Sequence, residues 1–157
     1  MKPRVYIETS VVSYLVGRPH RDMVIAARQQ LTHQWWDERS ARFHLVISEL
    51  VHEEAAQGDP GAAAARLAAT ESLPILKVNQ DAVALAEQLV SQGPIPHDSA
   101  ADALHIAIAA VNGIDYVLTW NCKHLANAMH RSRIEELVED AGYTCPVICT
   151  PEELMED

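Results

Sequence analysis

The sequence predicts an α/β fold in which helices cover both faces of a parallel sheet. Short runs rich in Val, Ile and Leu alternate with longer segments of helical character along the chain. Such apolar runs are typical of strands buried on both faces. Strands separated by helices pair in parallel, because a parallel connection needs a crossover of a dozen or more residues.

The predicted elements follow in a regular order. The strands are residues 4–7, 43–47, 74–78, 116–119 and 146–149. The helices are residues 10–15, 21–39, 48–57, 60–71, 80–91, 99–112 and 134–141. Asp59 is the expected cap of the fourth helix, with Pro60 in its first turn. Thr150 and Pro151, followed by two glutamates, predict a further helix start after the last strand.

Composition limits the class of protein. A length of 157 residues fits one domain, spanning residues 1–157, with enough chain for a core. The net charge of -10 argues against indiscriminate DNA binding, although bound cations can reverse the field at a site. The three cysteines form no Cys-x-x-Cys pair, and neither a signal peptide nor a membrane-spanning run is recognisable. We therefore expect a cytoplasmic protein that does not enter a membrane.

Acidic and amide residues stand just past predicted strands or at a helix start. Glu8 follows the first strand, Glu49 the second, and Asn121 comes just after the fourth, whereas Asp98 and Asp102 open a long helix. The carboxyl ends of parallel strands share one edge of a sheet, so we expect these side chains to converge there. Clustered carboxylates repel each other unless a cation lies among them. The pattern therefore predicts a metal site with the four acids as candidate ligands.

Asp102 is the most informative of these acids. The helix that follows it is apolar nearly all the way round, so it should be buried, and a buried carboxylate needs a partner. Asp98 lies four residues earlier, on the same predicted face, and is either a second ligand or a helix cap. His105, in the same helix, is expected to be a satisfied core histidine or a neighbour of the site rather than a ligand.

Structural alternatives exist for the remaining candidates. Glu8 and Glu49 are either ligands or first-turn acids stabilised by a helix dipole; Thr9 or Ser10 can cap the first helix, so Glu8 is not needed for that. Glu53 and Glu54 are expected to be solvated. Three basic residues either meet substrate phosphates or belong to a solvated loop: Arg18, His20 and Arg21. The adjacent Trp35 and Trp36 are either core residues or an apolar surface for a partner.

The ligand types favour magnesium or manganese. Cys122 and His124 offer two zinc ligands, but structural zinc takes four and no second pair is present. Carboxylate and amide oxygens suit Mg²⁺ or Mn²⁺ instead. A phosphatase with an aspartyl nucleophile would need Asp-x-Asp after the first strand, where Glu8 begins Glu-Thr-Ser. The scattered glycines exclude a phosphate-binding loop.

Four motifs, in this order, resemble the PIN-domain ribonuclease family, in particular the VapC-like toxins of type II toxin–antitoxin pairs. They are residues 6–12, 47–50, 101–107 and 116–121. The resemblance covers nearly the whole chain and implies a three-layer α/β/α sandwich with a central five-stranded parallel sheet. It also implies that acids holding Mg²⁺ or Mn²⁺ cleave RNA phosphodiesters, that the protein forms a homodimer, and that a cognate antitoxin is its partner.

The resemblance also implies roles for single residues. The catalytic residues would be Glu8, Glu49, Asp102 and Asn121, and Ser10 and Thr119 would orient them. Arg18 and Arg21, singled out above from their place in the loop, would then be the residues that meet RNA phosphates. Two positions depart from the family, which usually has aspartate where Glu8 and Asn121 stand. These departures leave open a second reading, a catalytically weakened PIN-like module that binds RNA or protein without cutting.

Overall fold

Residues 1–155 of the computed structural model are described here, and they form a five-stranded parallel sheet. The strands are β1 (Arg4–Ile7), β2 (His44–Ser48), β3 (Ile75–Leu76), β4 (Tyr116–Leu118) and β5 (Val147–Cys149). They lie in the order β3-β2-β1-β4-β5, and every neighbouring pair is parallel. The predicted fold class is confirmed.

Helices form the two outer layers. They are α1 (Thr9–Val16), α2 (Met23–Glu38), α3 (Glu49–Ala55), α4 (Pro60–Ala69), α5 (Gln80–Ser91), α6 (Ala100–Val111) and α7 (Ala128–Asp140), with short 3-10 helices at Ser40–Arg42 and His97–Ser99. Helix α1 packs against α2, α3 and α4, whereas α5 packs against α6 and α7. Right-handed crossovers place these two groups on opposite faces of the sheet. Within residues 1–155, no helix combines the length and the apolar character that a membrane crossing requires.

The core is centred on β1 and α6. Val5, Tyr6 and Ile7 are completely buried, as expected for the middle strand of a sheet covered on both faces. Trp35 is also completely buried, and its indole nitrogen donates a hydrogen bond of 3.1 Å to the carbonyl of Leu154. The alternative left open by the sequence is thereby resolved: Trp35 belongs to the core, and Trp36 packs partly buried against it.

The winding of the chain reverses at β1. From β1 the chain proceeds outward to β2 and β3, and then crosses back to β4 and β5 on the other side. Ligands of open α/β sheets bind at such a switch point, outside the carboxyl ends of the strands. Here Ile7 pairs with Leu118, and the amide of Glu8 donates to the Leu118 carbonyl at 3.1 Å. The residues that follow β1 and β4 therefore emerge side by side.

Two predicted elements differ markedly in extent, whereas the others differ by one or two residues at an end or not at all. β3 covers residues 75–76 rather than 74–78, and the amide of Val78 donates to the Glu49 carboxylate at 2.8 Å instead of to a strand. Helix α7 begins at Ala128, six residues before its predicted start. Asn127 caps it by accepting from the amide of Met129, and the first turns were missed because their sequence lacks apolar periodicity.

The predicted final helix is present only as its opening turn. Thr150 and Glu153 form a reciprocal pair, in which each backbone amide donates to the other side chain at 3.1 and 3.2 Å. This is the capping box that the sequence predicts. The described residues beyond it form turns rather than a helix.

Candidate active site

Three side chains able to ligate a metal converge at the carboxyl edge of the sheet. One ligand atom from each of Glu8, Glu54 and His105 lies within 4.8 Å of the other two. Glu8 follows β1, Glu54 lies near the end of α3, and His105 lies in the second turn of α6. No other trio of His, Cys, Asp or Glu in residues 1–155 comes as close together. We refer to these three residues as the acid–histidine cluster.

Glu8 is held by donors from two segments. Its side chain is 6% exposed. Thr119 Oγ1 donates to Glu8 Oε1 at 2.6 Å, the Ser10 hydroxyl donates to the same oxygen, and the amide of Ser10 donates to Oε2 at 3.1 Å. These donors offset the desolvation of the carboxylate. Glu8 itself is the cap of α1, so the expectation that Thr9 or Ser10 caps this helix was wrong.

The hydroxyls of Ser10 and Thr119 also fasten the chain around this carboxylate. Ser10 Oγ accepts from the amide of Trp120 at 2.8 Å, and Thr119 Oγ1 accepts from the amide of Asn121 at 2.9 Å. The start of α1 and the segment after β4 are thus bonded to each other and to Glu8. Any movement of that segment would disturb the orientation of the carboxylate.

Glu54 is the second acid of the cluster. Its Oε1 accepts from Thr9 Oγ1 at 2.5 Å and lies 2.8 Å from His105 Nε2. Burial by itself would raise the pKa of Glu54, but the hydrogen bonds from His105 and from Thr9 act in the opposite direction and outweigh it. The pKa of Glu54 therefore lies below its ordinary value. The expectation of a solvated Glu54 was wrong, because the side chain points inward, beside Val51 and Ala55 on the buried face of α3.

His105 connects Glu54 to the core. Its Nδ1 lies 2.6 Å from the hydroxyl of Tyr6, which in turn lies 2.8 Å from Ser48 Oγ. Burial raises the pKa of Tyr6 far above its ordinary range, so the phenol keeps its proton. All groups are satisfied when Ser48 donates to Tyr6, Tyr6 donates to Nδ1, and Nε2–H donates to Glu54. His105 is then a satisfied core histidine that orients Glu54, with no ring nitrogen free for a metal.

Asp102 is not one of the three residues of this cluster, but it lies one helical turn from His105. It precedes His105 by three residues on α6, so both side chains lie on one face of the helix. Its Oδ2 lies 2.8 Å from Nδ1 of His124, and the two side chains are 19% and 14% exposed, respectively. The other oxygen of Asp102 has no hydrogen-bond partner among residues 1–155.

Comparison with known proteins identifies the family of this fold. A family model, the PIN domain, matches residues 5–128. The chain belongs to the PIN-domain family. No match is found among curated protein sequences.

Solved structures with a similar fold include three VapC or VapBC proteins. VapC20 of Mycobacterium tuberculosis, a toxin that cleaves the sarcin-ricin loop, is 17% identical; the match covers 89% of this chain and 96% of VapC20, with a TM-score of 0.60. VapBC2 of Rickettsia felis, bound to a DNA fragment from their promoter, is 13% identical, covering 94% and 98%, with a TM-score of 0.59. VapBC-1 of nontypeable Haemophilus influenzae is 14% identical, covering 95% and 98%, with a TM-score of 0.56. At such identities the likeness is one of fold.

The structure places Glu49 apart from the acid–histidine cluster of this PIN domain. Its exposed carboxylate accepts from the amide of Val78, and it lines a surface cavity with His52 and Lys77. Glu49 thus ties the start of α3 to the segment after β3. The sequence favoured Glu49 because it comes directly after a buried strand. The side chain that points into the cluster is that of Glu54, five residues later.

Asp98 and Asn121 also have structural partners. Asp98 is exposed and lies in the 3-10 helix before α6, where it accepts from the Ser99 hydroxyl at 3.5 Å. It is not the cap of α6, because that position is Ser99. Asn121 Oδ1 accepts from the amide of His124 at 3.1 Å and so closes the turn after β4. Neither residue is brought into the acid–histidine cluster.

The basic residues of the loop between α1 and α2 are exposed. Arg18 is held through its carbonyl, which accepts from Gln29 Nε2 at 2.8 Å, and His20 Nδ1 accepts from the amide of Asp22 at 3.0 Å. The guanidinium groups of Arg18 and Arg21 have no hydrogen-bond partner within residues 1–155. Their predicted role in RNA binding stays a prediction.

Proposed function

We propose that this PIN domain is a divalent-metal-dependent endoribonuclease that hydrolyses RNA phosphodiesters, and that it is the toxin of a toxin–antitoxin pair. The observation that carries the proposal is the convergence of Glu8 and Glu54 within one group at the switch point of the sheet. Family membership supports the nuclease class, and the likeness to the VapC20 fold supports the toxin role.

We infer that Glu8 and Glu54 hold Mg²⁺ or Mn²⁺, with Asp102 as the proton acceptor. Carboxylate oxygens are the ligands that these hard cations prefer, and two carboxylates this close repel each other without a positive partner. Glu49 is left out of this set because its exposed carboxylate lies outside the acid–histidine cluster and is bonded to the amide of Val78 instead. When bound, such a cation polarises a scissile phosphate and lowers the pKa of the attacking water.

The chain itself contributes orientation. Ser10 and Thr119 fix the carboxylate of Glu8, while Thr9 and His105 fix that of Glu54. Supports of this kind typically change metal affinity or activity by about 10- to 100-fold when they are removed. Both acids are therefore oriented before any ligand arrives, and little reorganisation is needed on binding.

Asp102 is suited to accept a proton. Its Oδ2 is engaged by His124, which leaves Oδ1 as the atom that takes a proton from the attacking water. Because His124 holds the side chain in place, the free oxygen keeps a constant position on the face of α6. In this proposal Asn121 acts through His124, whose amide it holds, rather than as a ligand.

A cleavage assay tests the proposal. Purified protein is incubated with single-stranded RNA in Mg²⁺ or Mn²⁺, and the Asp102→Asn variant is compared with Asp140→Asn, a matched change at the exposed end of α7. We expect Asp102→Asn to lose at least about 100-fold in rate and Asp140→Asn to retain the wild-type rate. Equal cleavage by the wild type and Asp102→Asn would identify the activity as contamination.

One observation favours a second candidate, a PIN-like module that binds RNA or protein without cutting. Both oxygens of Glu8 accept hydrogen bonds, and Asp102 is paired with His124. Such acids are partly balanced without a cation. The same assay separates the two functions: RNA that is bound but remains intact in Mg²⁺ and in Mn²⁺ identifies the binding module.

We propose a cognate antitoxin as the protein partner and a homodimer as the working form. Both follow from the family resemblance, and the VapBC structures among the similar folds support the first. A small open reading frame beside the gene would encode the antitoxin. Co-expression and light scattering test both proposals: we expect a stable complex with that product and a dimeric mass for the isolated chain.

A further inference from the structure

Arg28 stands out among the cations near the acid–histidine cluster. It lies in the second turn of α2, half-buried, with its guanidinium carbon 5.4 Å from the centroid of the Trp120 ring. Its Nη2 lies 3.8 Å from the sulfur of Cys122. Both contacts are with the segment that follows β4. Arg28 is therefore fixed at the carboxyl edge of the sheet, on the β4 side of the switch point.

A short chain of contacts links Arg28 to Glu8. The ring of Trp120 lies against Arg28, and the backbone amide of Trp120 donates to Ser10 Oγ, which bonds to Glu8. Trp120 is itself fixed, because its indole nitrogen donates to Thr32 Oγ1 at 2.7 Å and it packs edge-on against Tyr14. Arg28 is thus held near the acids by a rigid platform.

The guanidinium group of Arg28 lacks the oxygen partners that several of the other arginines have. Arg131 pairs with both carboxylate oxygens of Glu153, Arg4 donates to the carbonyl of Asn112, and Arg66 donates to the carbonyl of Ala55. Within residues 1–155, the guanidinium group of Arg28 has one polar contact, with the sulfur of Cys122, and one ring contact, with Trp120. A guanidinium presents five donors, and the fork matches the oxygens of a phosphate. Most of this donor capacity remains open.

We propose that Arg28 binds a backbone phosphate of the RNA substrate, on the β4 side of the acid–histidine cluster. This inference rests on the proposed function and names a contact for it that the sequence does not indicate. In a chain with a net charge of -10, RNA needs a local cation to approach an acidic site, because long-range attraction is absent. Arg28 provides that cation on the side of the sheet where the chain after β4 borders Glu8.

Binding measurements without metal test the inference, because RNA then stays intact. We compare wild type with Arg28→Gln, which removes the charge, and with Arg28→Lys, which keeps it. The matched control is Lys2→Gln, which removes a charge just before the amino end of β1, away from the carboxyl edge of the sheet. We expect Arg28→Gln to weaken RNA binding on the order of tenfold and to lower the salt slope by about 0.7. Arg28→Lys should lose less, and Lys2→Gln should match wild type.

Kinetics in Mg²⁺ provide a second readout. Since a contact with a flanking phosphate is present before and during the reaction, Arg28→Gln should raise KM and leave kcat nearly unchanged. Thermal unfolding checks that each variant is folded, and Arg28→Met, which retains packing against Trp120, replaces Arg28→Gln if the latter is not. Wild-type binding and an unchanged salt slope in the folded uncharged variant of Arg28 would overturn the role of Arg28 and leave the nuclease intact. A wild type that neither binds nor cleaves RNA would overturn both.

Discussion

His105 Nε2 lies 2.8 Å from Glu54 Oε1, although the two residues are 51 positions apart in the sequence. The contact joins α6 to α3 and connects the buried pair of Tyr6 and Ser48 to an acid at the edge of the sheet. A buried histidine therefore orients a candidate metal ligand. Stability and activity should be coupled at this point.

The two glutamates of α3 should differ in their effect on RNA cleavage. Glu54→Gln removes a charge from the acid–histidine cluster, so we expect the rate to fall by at least about 100-fold. Glu49→Gln removes the same charge from a side chain bonded to Val78, and should leave the rate nearly unchanged. Single-turnover cleavage measures both. A larger loss in Glu49→Gln than in Glu54→Gln would restore the sequence-based ligand set.

Removal of His105 should destabilise the fold. His105 is 1% exposed, and His105→Ala leaves a cavity and removes partners from Tyr6 and Glu54. We expect the free energy of unfolding to drop by about 2–4 kcal/mol, measured by urea denaturation. His52→Ala, at an exposed position of α3, is the matched control and should change stability by less than about 0.5 kcal/mol. Equal stability of both variants would contradict a structural role for His105.

Glu54 should also make stability depend on pH. Its pKa in the folded state lies below the ordinary value of 4.5, so the folded state favours the ionised form. The stabilisation is fully present above pH 4.5 and is lost as the pH falls through the folded-state value. Glu54→Gln should therefore flatten this part of the stability curve, measured by thermal unfolding at several pH values. Glu53→Gln, at the exposed neighbouring position, should keep the wild-type dependence.

Trp35 should be more important for stability than Trp36. Trp35 is fully buried and donates to the carbonyl of Leu154, whereas Trp36 is only partly buried. We expect Trp35→Phe to cost about 1–3 kcal/mol, since it removes volume from the core and leaves a carbonyl without its donor. Trp36→Phe should cost less. Chemical denaturation of the two variants measures the two losses of unfolding free energy. An equal loss would contradict the conclusion that Trp35 contributes more to the core than Trp36.

The sheet was predictable because its strands carry strong local signals. β1 and α5 begin and end where the sequence predicts them, as both combine an apolar pattern with clear boundaries. The predicted bounds of β3 and α7 were less accurate, for different reasons. β3 is a two-residue edge strand whose continuation is bonded to the Glu49 side chain, and the first turns of α7 carry almost no apolar residues.

The site was predictable only in part. Glu8 was found from its place after β1, and the structure does position it at the switch point of the sheet. Glu54 was missed, because position along the chain was weighed above the direction of the side chain. A signal was present: Glu54 follows the apolar Val51 by three residues and so shares its face of α3, which is buried, whereas Glu53 does not. Arg28 had no local signal, since its contacts with Trp120 and Cys122 depend on tertiary structure.

A direct titration of Mn²⁺ tests the central claim, namely that Glu8 and Glu54 together bind a divalent cation. Isothermal calorimetry is carried out without RNA on wild type, Glu8→Gln, Glu54→Gln and, as the matched control, Glu49→Gln. We predict that Glu8→Gln and Glu54→Gln each lose at least about tenfold in affinity for Mn²⁺. Glu49→Gln should bind Mn²⁺ with wild-type affinity. Wild-type affinity in Glu54→Gln, or loss of binding in Glu49→Gln, would contradict the assignment of this metal site.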